Sequence, residues 1–297
     1  MRKNKKMIVC FMLPAVLTLV FMYMYPIIRT VIMSFFDVQS VTAPTSTWVF
    51  NGLDNYLELF KTSIFRTSMW NILKIWLLGG IITMFFALLF AVILTSGVRF
   101  KNFFRAAIYL PNVISAVAMA AMWRYYVFNG RFGFLNGVVE FFGGSAVNWL
   151  DTNHIFTSML IAYCFGSVGY FMLIFLSGIE RIPSDIYEAA RIDGTNTLQK
   201  FRYITLPLLR GVFKTNITFW SVSTLTFFVW TKMFSPTDTE STTIVPVTYL
   251  YEVVFGSKGI TQTDAGRGAA IGVSLALCMV IVFVIMNRLV KDDDLEF

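Results

Sequence analysis

The chain has 297 residues, 57% of them hydrophobic and 14% charged, with 31 Phe and a formal net charge of +7. Soluble domains carry about a quarter charged residues, so this composition excludes a water-soluble globule and specifies an integral membrane protein. The basic residues sit beside apolar runs rather than in one patch, which assigns the charge to membrane topology and excludes a nucleic-acid ligand.

A bilayer-spanning helix needs roughly 20 apolar residues, and six runs qualify: 7–28, 70–94, 106–128, 154–178, 212–234 and 268–290. The expected fold is therefore an all-α integral membrane protein of six transmembrane helices forming a single domain over 1–297. The first run follows Arg2, Lys3, Lys5 and Lys6 and contains Pro14 and Pro26. It is longer than a signal-peptide core and lacks a small-residue cleavage site, so it reads as an uncleaved span. The polar stretch from Asp37 to about Met69 is too long for a tight hairpin and is expected outside the membrane.

Span three holds Pro111, whose missing N–H should bend it, and ends in the aromatic group Trp123, Tyr125 and Tyr126 with Arg124, read as a snorkelling interfacial anchor. An outer loop over 129–153 leads to span four, which begins at the single histidine, His154, read as no metal ligand. Cys10, Cys164 and Cys278 all lie in apolar runs with no close pair, so they read as buried helix thiols. After span five, an outer segment covers 235–267, and an acidic tail of Asp292, Asp293, Asp294 and Glu296 follows span six. Fifteen of the 24 Lys and Arg fall on one side of this arrangement, which places both termini in the cytoplasm.

Between spans four and five lies a polar island, the loop 181–211. Its centre reads EAARIDGTNTLQKFRYITLP from Glu188 to Pro207. Tyr187, Ala190, Ile192, Leu198, Phe201, Ile204 and Leu208 give short apolar faces. Two short amphipathic helices meeting at a Gly194 turn are predicted, because Gly accepts positive φ without a Cβ clash. Pro207 stands where the next membrane helix begins. On composition alone the loop reads as a solvated connector.

Glu188, Ala189 and Ala190, then Gly194, then Ile204, Thr205, Leu206 and Pro207 carry the spaced EAA-G-I-x-L-P pattern. In this the chain resembles the permease subunits of bacterial binding-protein-dependent ABC importers, of the carbohydrate-uptake (maltose or multiple-sugar) type. FMLPAVL, NGLDNY, YLPNVIS and WRYYVFNGRFGFLN resemble stretches of the same family. The resemblance implies an ABC type I importer permease fold. It also implies that the loop is a coupling helix docking on a separate ATPase through Glu188, Ala189, Ala190, Asp193, Gly194, Leu206 and Pro207. The implied partners are a second homologous permease, two ATPase subunits, an extracellular solute-binding protein, membrane lipid and a carbohydrate substrate, an oligosaccharide above all. No cofactor is expected in this chain, since ATP and Mg would be bound by the ATPase.

On span five Asn216, Trp220, Ser223, Thr224 and Phe227 recur on one helical face, and on span four Tyr163, Ser167 and Tyr170 make a similar stripe with Gly166. Polar groups in a lipid-surrounded helix face the bundle interior or an aqueous path. Rings beside hydroxyls suit a sugar, whose C–H faces pack on aromatics and whose hydroxyls need hydrogen bonds. The seven residues Tyr163, Tyr170, Asn216, Trp220, Ser223, Thr224 and Phe227 are therefore the candidate substrate contacts, with helix–helix packing as the rival reading. A polyol or glycerol-phosphate substrate is the alternative within the transport class. A secondary transporter would need membrane-centred carboxylates, which are absent, and an enzyme would need convergent catalytic groups. The chain has no P-loop, so it does not itself hydrolyse ATP.

Overall fold

The computed structural model describes residues 5–236, 240–257 and 259–289. Arg2, Lys3 and the acidic tail therefore lie outside the described residues. Helices α1 (Lys5–Thr18) and α2 (Tyr25–Met33) are joined by a π-helical stretch (Leu19–Met24). Strands β1 (Phe36–Asp37) and β2 (Val49–Phe50) pair antiparallel with Phe36 opposite Phe50. Next come α3 (Asp54–Lys61), α4 (Ser63–Lys74), a π-helical turn (Ile75–Gly79), α5 (Gly80–Thr95), α6 (Lys101–Val113), α7 (Ala116–Met122) and α8 (Phe134–Phe141). The chain continues through α9 (Ile155–Glu180), α10 (Ser184–Ile192), α11 (Thr197–Lys200), α12 (Leu206–Leu208), α13 (Arg210–Leu225), α14 (Phe228–Phe234), α15 (Pro246–Phe255) and α16 (Ala265–Leu289).

Among the described residues four helical runs are long and apolar enough to cross a membrane: Met7–Met33, Ser63–Thr95, Ile155–Glu180 and Ala265–Leu289. Two of the six predicted spans are not single helices. The third is broken between α6 and α7 by a 97° bend. Pro111 removes one ladder donor, Ile114 turns extended (ψ 137°), and the Ser115 hydroxyl accepts from the Ala118 N–H to start a new helix. The fifth is broken between α13 and α14. There the Thr226 hydroxyl bonds back to the Ser223 carbonyl at 3.1 Å, and Phe227 leaves helical geometry (ψ 49°).

The chain forms two compact units. One comprises 1–66 and 249–277. Its centre is Met33, Val38, Ala265 and Ala269, with Phe36 and Trp48 packed on them. The NGLDNY stretch is what ties it: Asn55 donates to the carbonyls of Ser34 and Phe36 at 3.0 and 2.9 Å, and the Tyr56 hydroxyl donates to Ser34 Oγ at 2.7 Å. The N–H groups of Ala265 and Gly266 both donate to the Val38 carbonyl. The second unit, 67–248 and 278–297, is built around α9, whose buried residues Met159, Cys164, Phe171, Met172, Phe175 and Leu176 pack against α5, α6 and α13. Helix α6 lies directly on α9 at Gly169, where a Cβ would stand 2.3 Å from the Ile108 carbonyl oxygen. Only glycine permits that backbone approach.

Candidate functional site: a helix-break cavity and an exposed helical loop

Two regions of the second unit gather the sequence-predicted residues. The first is the 181–211 loop. Helix α10 ends in a Schellman turn, with Gly194 at φ +75°, its N–H donating to the Arg191 carbonyl, and the Thr195 N–H donating to the Ala190 carbonyl. No atom lies within 4 Å of a Cβ built on Gly194, so the backbone angle and not space selects glycine there. Asn196 and Gln199 form a reciprocal capping box at the start of α11. The Tyr187 hydroxyl and Thr205 Oγ1 are 2.9 Å apart, joining the two halves of the loop.

Two helices thus do meet at Gly194. Ala190 is buried against the loop itself, while Glu188, Ala189 and Asp193 are exposed and Leu206 and Pro207 are half-buried at the entry to α13. The outward face also carries three large apolar side chains, Ile192, Leu198 and Tyr203, at 87, 73 and 71% exposure. Tyr203 was not among the sequence candidates. At the root of the loop Lys101 and Glu180 form an ion pair of 2.6 Å between the start of α6 and the end of α9.

The second region is a cavity of about 410 Å³ opened by the α6–α7 break. Its wall includes Asn112, Tyr163, Tyr170, Phe219, Ser223 and Trp230. Every one of its lining residues is uncharged. Tyr163 and Ser223 hydroxyls are 3.0 Å apart, and Ser223 also donates to the Trp220 carbonyl at 3.0 Å. Asn112 donates to the Gly166 carbonyl at 3.4 Å. Tyr170 is 36% exposed, with its ring edge-on to Phe219 at 6.3 Å.

Of the seven candidates, Tyr163, Tyr170 and Ser223 line the cavity, whereas Asn216, Trp220, Thr224 and Phe227 do not. Those four are buried in the helix seams. Trp220 lies on the backbone of Gly79 and Gly80, and Phe227 sits at the break, edge-on to Tyr163 at 4.7 Å. The α13 stripe is real as a helical face, but the face is divided: Ser223 and Phe219 border the cavity while Trp220 is turned into the seam with α5. Sequence reasoning missed Asn112, Phe219 and Trp230. An amide directly after Pro111 inside an apolar run was the available signal for the first.

Arg124, half-buried, lies in the π-helical turn that follows α7. Its guanidinium donates to the Met233 carbonyl, satisfying the end of α14, and lies 5.5 Å from the Tyr125 ring. His154 bonds Asp151 at 2.7 Å and precedes α9. Cys10 is exposed on its helix, contrary to expectation, while Cys164 is buried.

Comparison with known proteins fits this architecture. Residues 83–292 match the family of binding-protein-dependent transport system inner membrane components. The arabinooligosaccharides transport system permease protein AraP of Bacillus subtilis is 31% identical, over 94% of this chain and 87% of that protein. The probable starch degradation products transport system permease protein AmyD of Thermoanaerobacterium thermosulfurigenes is 26% identical, over 96% of this chain and 94% of that protein. A subunit of a bacterial alginate ABC transporter, solved in complex with an alginate pentasaccharide-bound periplasmic protein, superposes with a TM-score of 0.83. That alignment covers 97% of this chain and 95% of the other at 18% identity, a likeness of fold. With the type I importer permease fold, the family match over most of its length and relatives aligned nearly end to end, the chain belongs to the binding-protein-dependent transport system inner membrane components, transport subunits and not enzymes.

Proposed function

We propose that this subunit translocates a carbohydrate, an oligosaccharide above all, delivered by an extracellular solute-binding protein and driven by ATP hydrolysis on partner ATPases. The observation that carries the reading is the cavity wall, in which Tyr170, Phe219 and Trp230 offer ring faces beside the Asn112 amide and the Tyr163 and Ser223 hydroxyls. Rings accept the C–H faces of a pyranose or furanose, and the amide and hydroxyls exchange hydrogen bonds with its hydroxyls. The names of AraP and AmyD, permeases for arabinooligosaccharides and starch degradation products, support the same class. A glycerol-phosphate substrate would need a cation at the cavity; the lining carries none, and the Arg124 guanidinium is engaged by Met233.

In this reading the chain pairs with a second homologous permease and two ATPase subunits, and both termini lie in the cytoplasm. The 181–211 loop is then cytoplasmic. Helix α10 docks in a groove on one ATPase, with Ile192, Leu198 and Tyr203 as apolar anchors and Glu188 facing a basic partner residue. Ala189, Asp193 and Gly194 shape the tip, and Leu206 and Pro207 pass its movement to α13. ATP and Mg sit on the ATPase, whose closure opens the cavity toward the binding protein.

The test is uptake of a labelled neutral oligosaccharide by vesicles holding the complete complex. Tyr170→Ala and Ser223→Ala should each lower uptake severalfold with the complex still assembled. Undiminished uptake in both would remove the cavity from the translocation path.

A further inference from the structure

We propose that Trp76, Trp220 and Ser221 form a clasp that carries movement of α13 to the cavity wall, making them positioning residues for coupled transport. The clasp is reciprocal. The Trp76 indole N–H donates to Ser221 Oγ at 2.8 Å, and the Trp220 indole N–H donates to the Trp76 carbonyl at 2.8 Å. Two hydrogen bonds in opposite directions thus fasten one turn of α13 to one turn of the span that runs through α4 and α5.

That turn of the span is π-helical, and the Gly80 N–H is shared between the carbonyls of Leu77 and Trp76. A carbonyl held by only part of a ladder bond has a lone pair available for the indole. Gly79, which ends that turn, and Gly80 make room for the ring. A Cβ on Gly79 would stand 3.0 Å from Trp220 Cζ2, and one on Gly80 would stand 2.8 Å from its Nε1. The indole cannot give way, because it is 2% exposed and wedged against Tyr163 and Phe171 at centroid distances of 5.2 and 5.7 Å.

Trp220 does not line the cavity itself but packs on two of its lining residues, Phe171 and Tyr163, and the Tyr163 hydroxyl meets Ser223. At its other end α13 begins at Arg210, after the short helix α12 that carries Pro207. Its first turns are seated by Phe213 on Phe175 at 4.7 Å and by Val212 and Leu209 against Gly178. A rotation entering from the loop along α13 reaches the cavity ring through Trp220.

A second observation marks this seam as one that moves. Asn216, one turn from Trp220 toward the loop, is fully buried, and neither its Nδ2 nor its Oδ1 has a hydrogen-bond partner among the described residues. An unpaired buried amide is costly. The seam is satisfied at the clasp and unsatisfied one turn away. A shifted α13 that gives Asn216 a partner offsets the loss of the clasp bonds, which is how a packed interface comes to have two arrangements of similar energy.

The proposal rests on the coupling reading above. The experiment measures ATP hydrolysed per sugar imported, together with the thermal stability of the complex, for the complete complex in lipid vesicles. Trp76→Phe, Trp220→Phe and Ser221→Ala should each raise the ratio about fivefold, the population change one such hydrogen bond commands. Trp76→Phe combined with Ser221→Ala should be no worse than either alone, since both break one bond. Asn216→Leu should act the other way and lower basal hydrolysis. A ratio unchanged in the intact Trp76→Phe and Ser221→Ala complexes overturns the clasp. So does a thermal loss with an unmoved ratio. A wild-type complex whose hydrolysis ignores the sugar-loaded binding protein overturns the coupling reading and the clasp with it.

Discussion

Helix α9 runs unbroken for 26 residues, while the neighbouring stretches 101–127 and 210–234 each break once near their middles. The difference follows from local chemistry. Within α9 the Ser167 hydroxyl bonds back to the Tyr163 carbonyl at 2.8 Å without interrupting the helix, and no proline intervenes. In the other two, a proline followed by a capping serine, or the non-helical pair Thr226 and Phe227, ends one helix and starts another. The unbroken helix supplies the buried centre of its unit and one wall of the cavity, and the broken ones supply the rest of the lining. What the comparison teaches is that the polar residues of this protein matter by where they interrupt or spare the backbone, as much as by what their side chains could bind.

Four changes break or sharpen that contrast. Gly169→Leu should do the most damage, because its Cβ meets the α6 backbone at 2.3 Å and neither helix can yield. A loss of about 3 kcal/mol or more is expected, read as failure of the complex to survive size-exclusion chromatography. Glu188→Lys leaves the helices untouched and should abolish uptake while the protein still inserts, checked by transport assay and by ATPase co-purification.

Ser115→Ala removes the hydroxyl that starts α7 and should cost about 1 kcal/mol, a fall of a few degrees in melting temperature in detergent. The smallest effect concerns the turn before α9. The His154 side chain bonded to Asp151 holds that carboxyl below its ordinary value, helped by the backbone N–H groups of His154 and Asn153. A lowered carboxyl pKa adds stability that is present above the ordinary carboxylate range and lost as pH falls through the folded value. Asp151→Asn should therefore flatten a weak acid limb in the melting temperature, lying slightly below wild type at neutral pH and converging with it in acid.

Much of this was legible in residue order. The apolar runs located the unbroken spans, and the EAA spacing with Gly194 located the helix–turn–helix, because a Schellman glycine and a capping-box pair act through neighbours in sequence. The proline in span three announced a bend, although not a 97° one. What periodicity could not supply was the division of the α13 stripe. Trp220 and Ser223 share a helical face, but Gly79 and Gly80 on another helix offer the indole a bed of bare backbone, and that pairing is visible only once the helices are packed. The partner of Arg124 was opaque for the same reason: it is a carbonyl at the C-terminal end of α14, on a different helix.

The most direct test of the account is a distance measurement between spin labels in the reconstituted complex, with and without trapped ATP. One pair would join exposed positions of α9 and α5, and another would join α9 and the α6–α7 break. The account predicts an unchanged distance for the first pair and a shift of several ångströms for the second. A moving α9–α5 pair with a static break would contradict it, and would assign the motion to the unbroken helices.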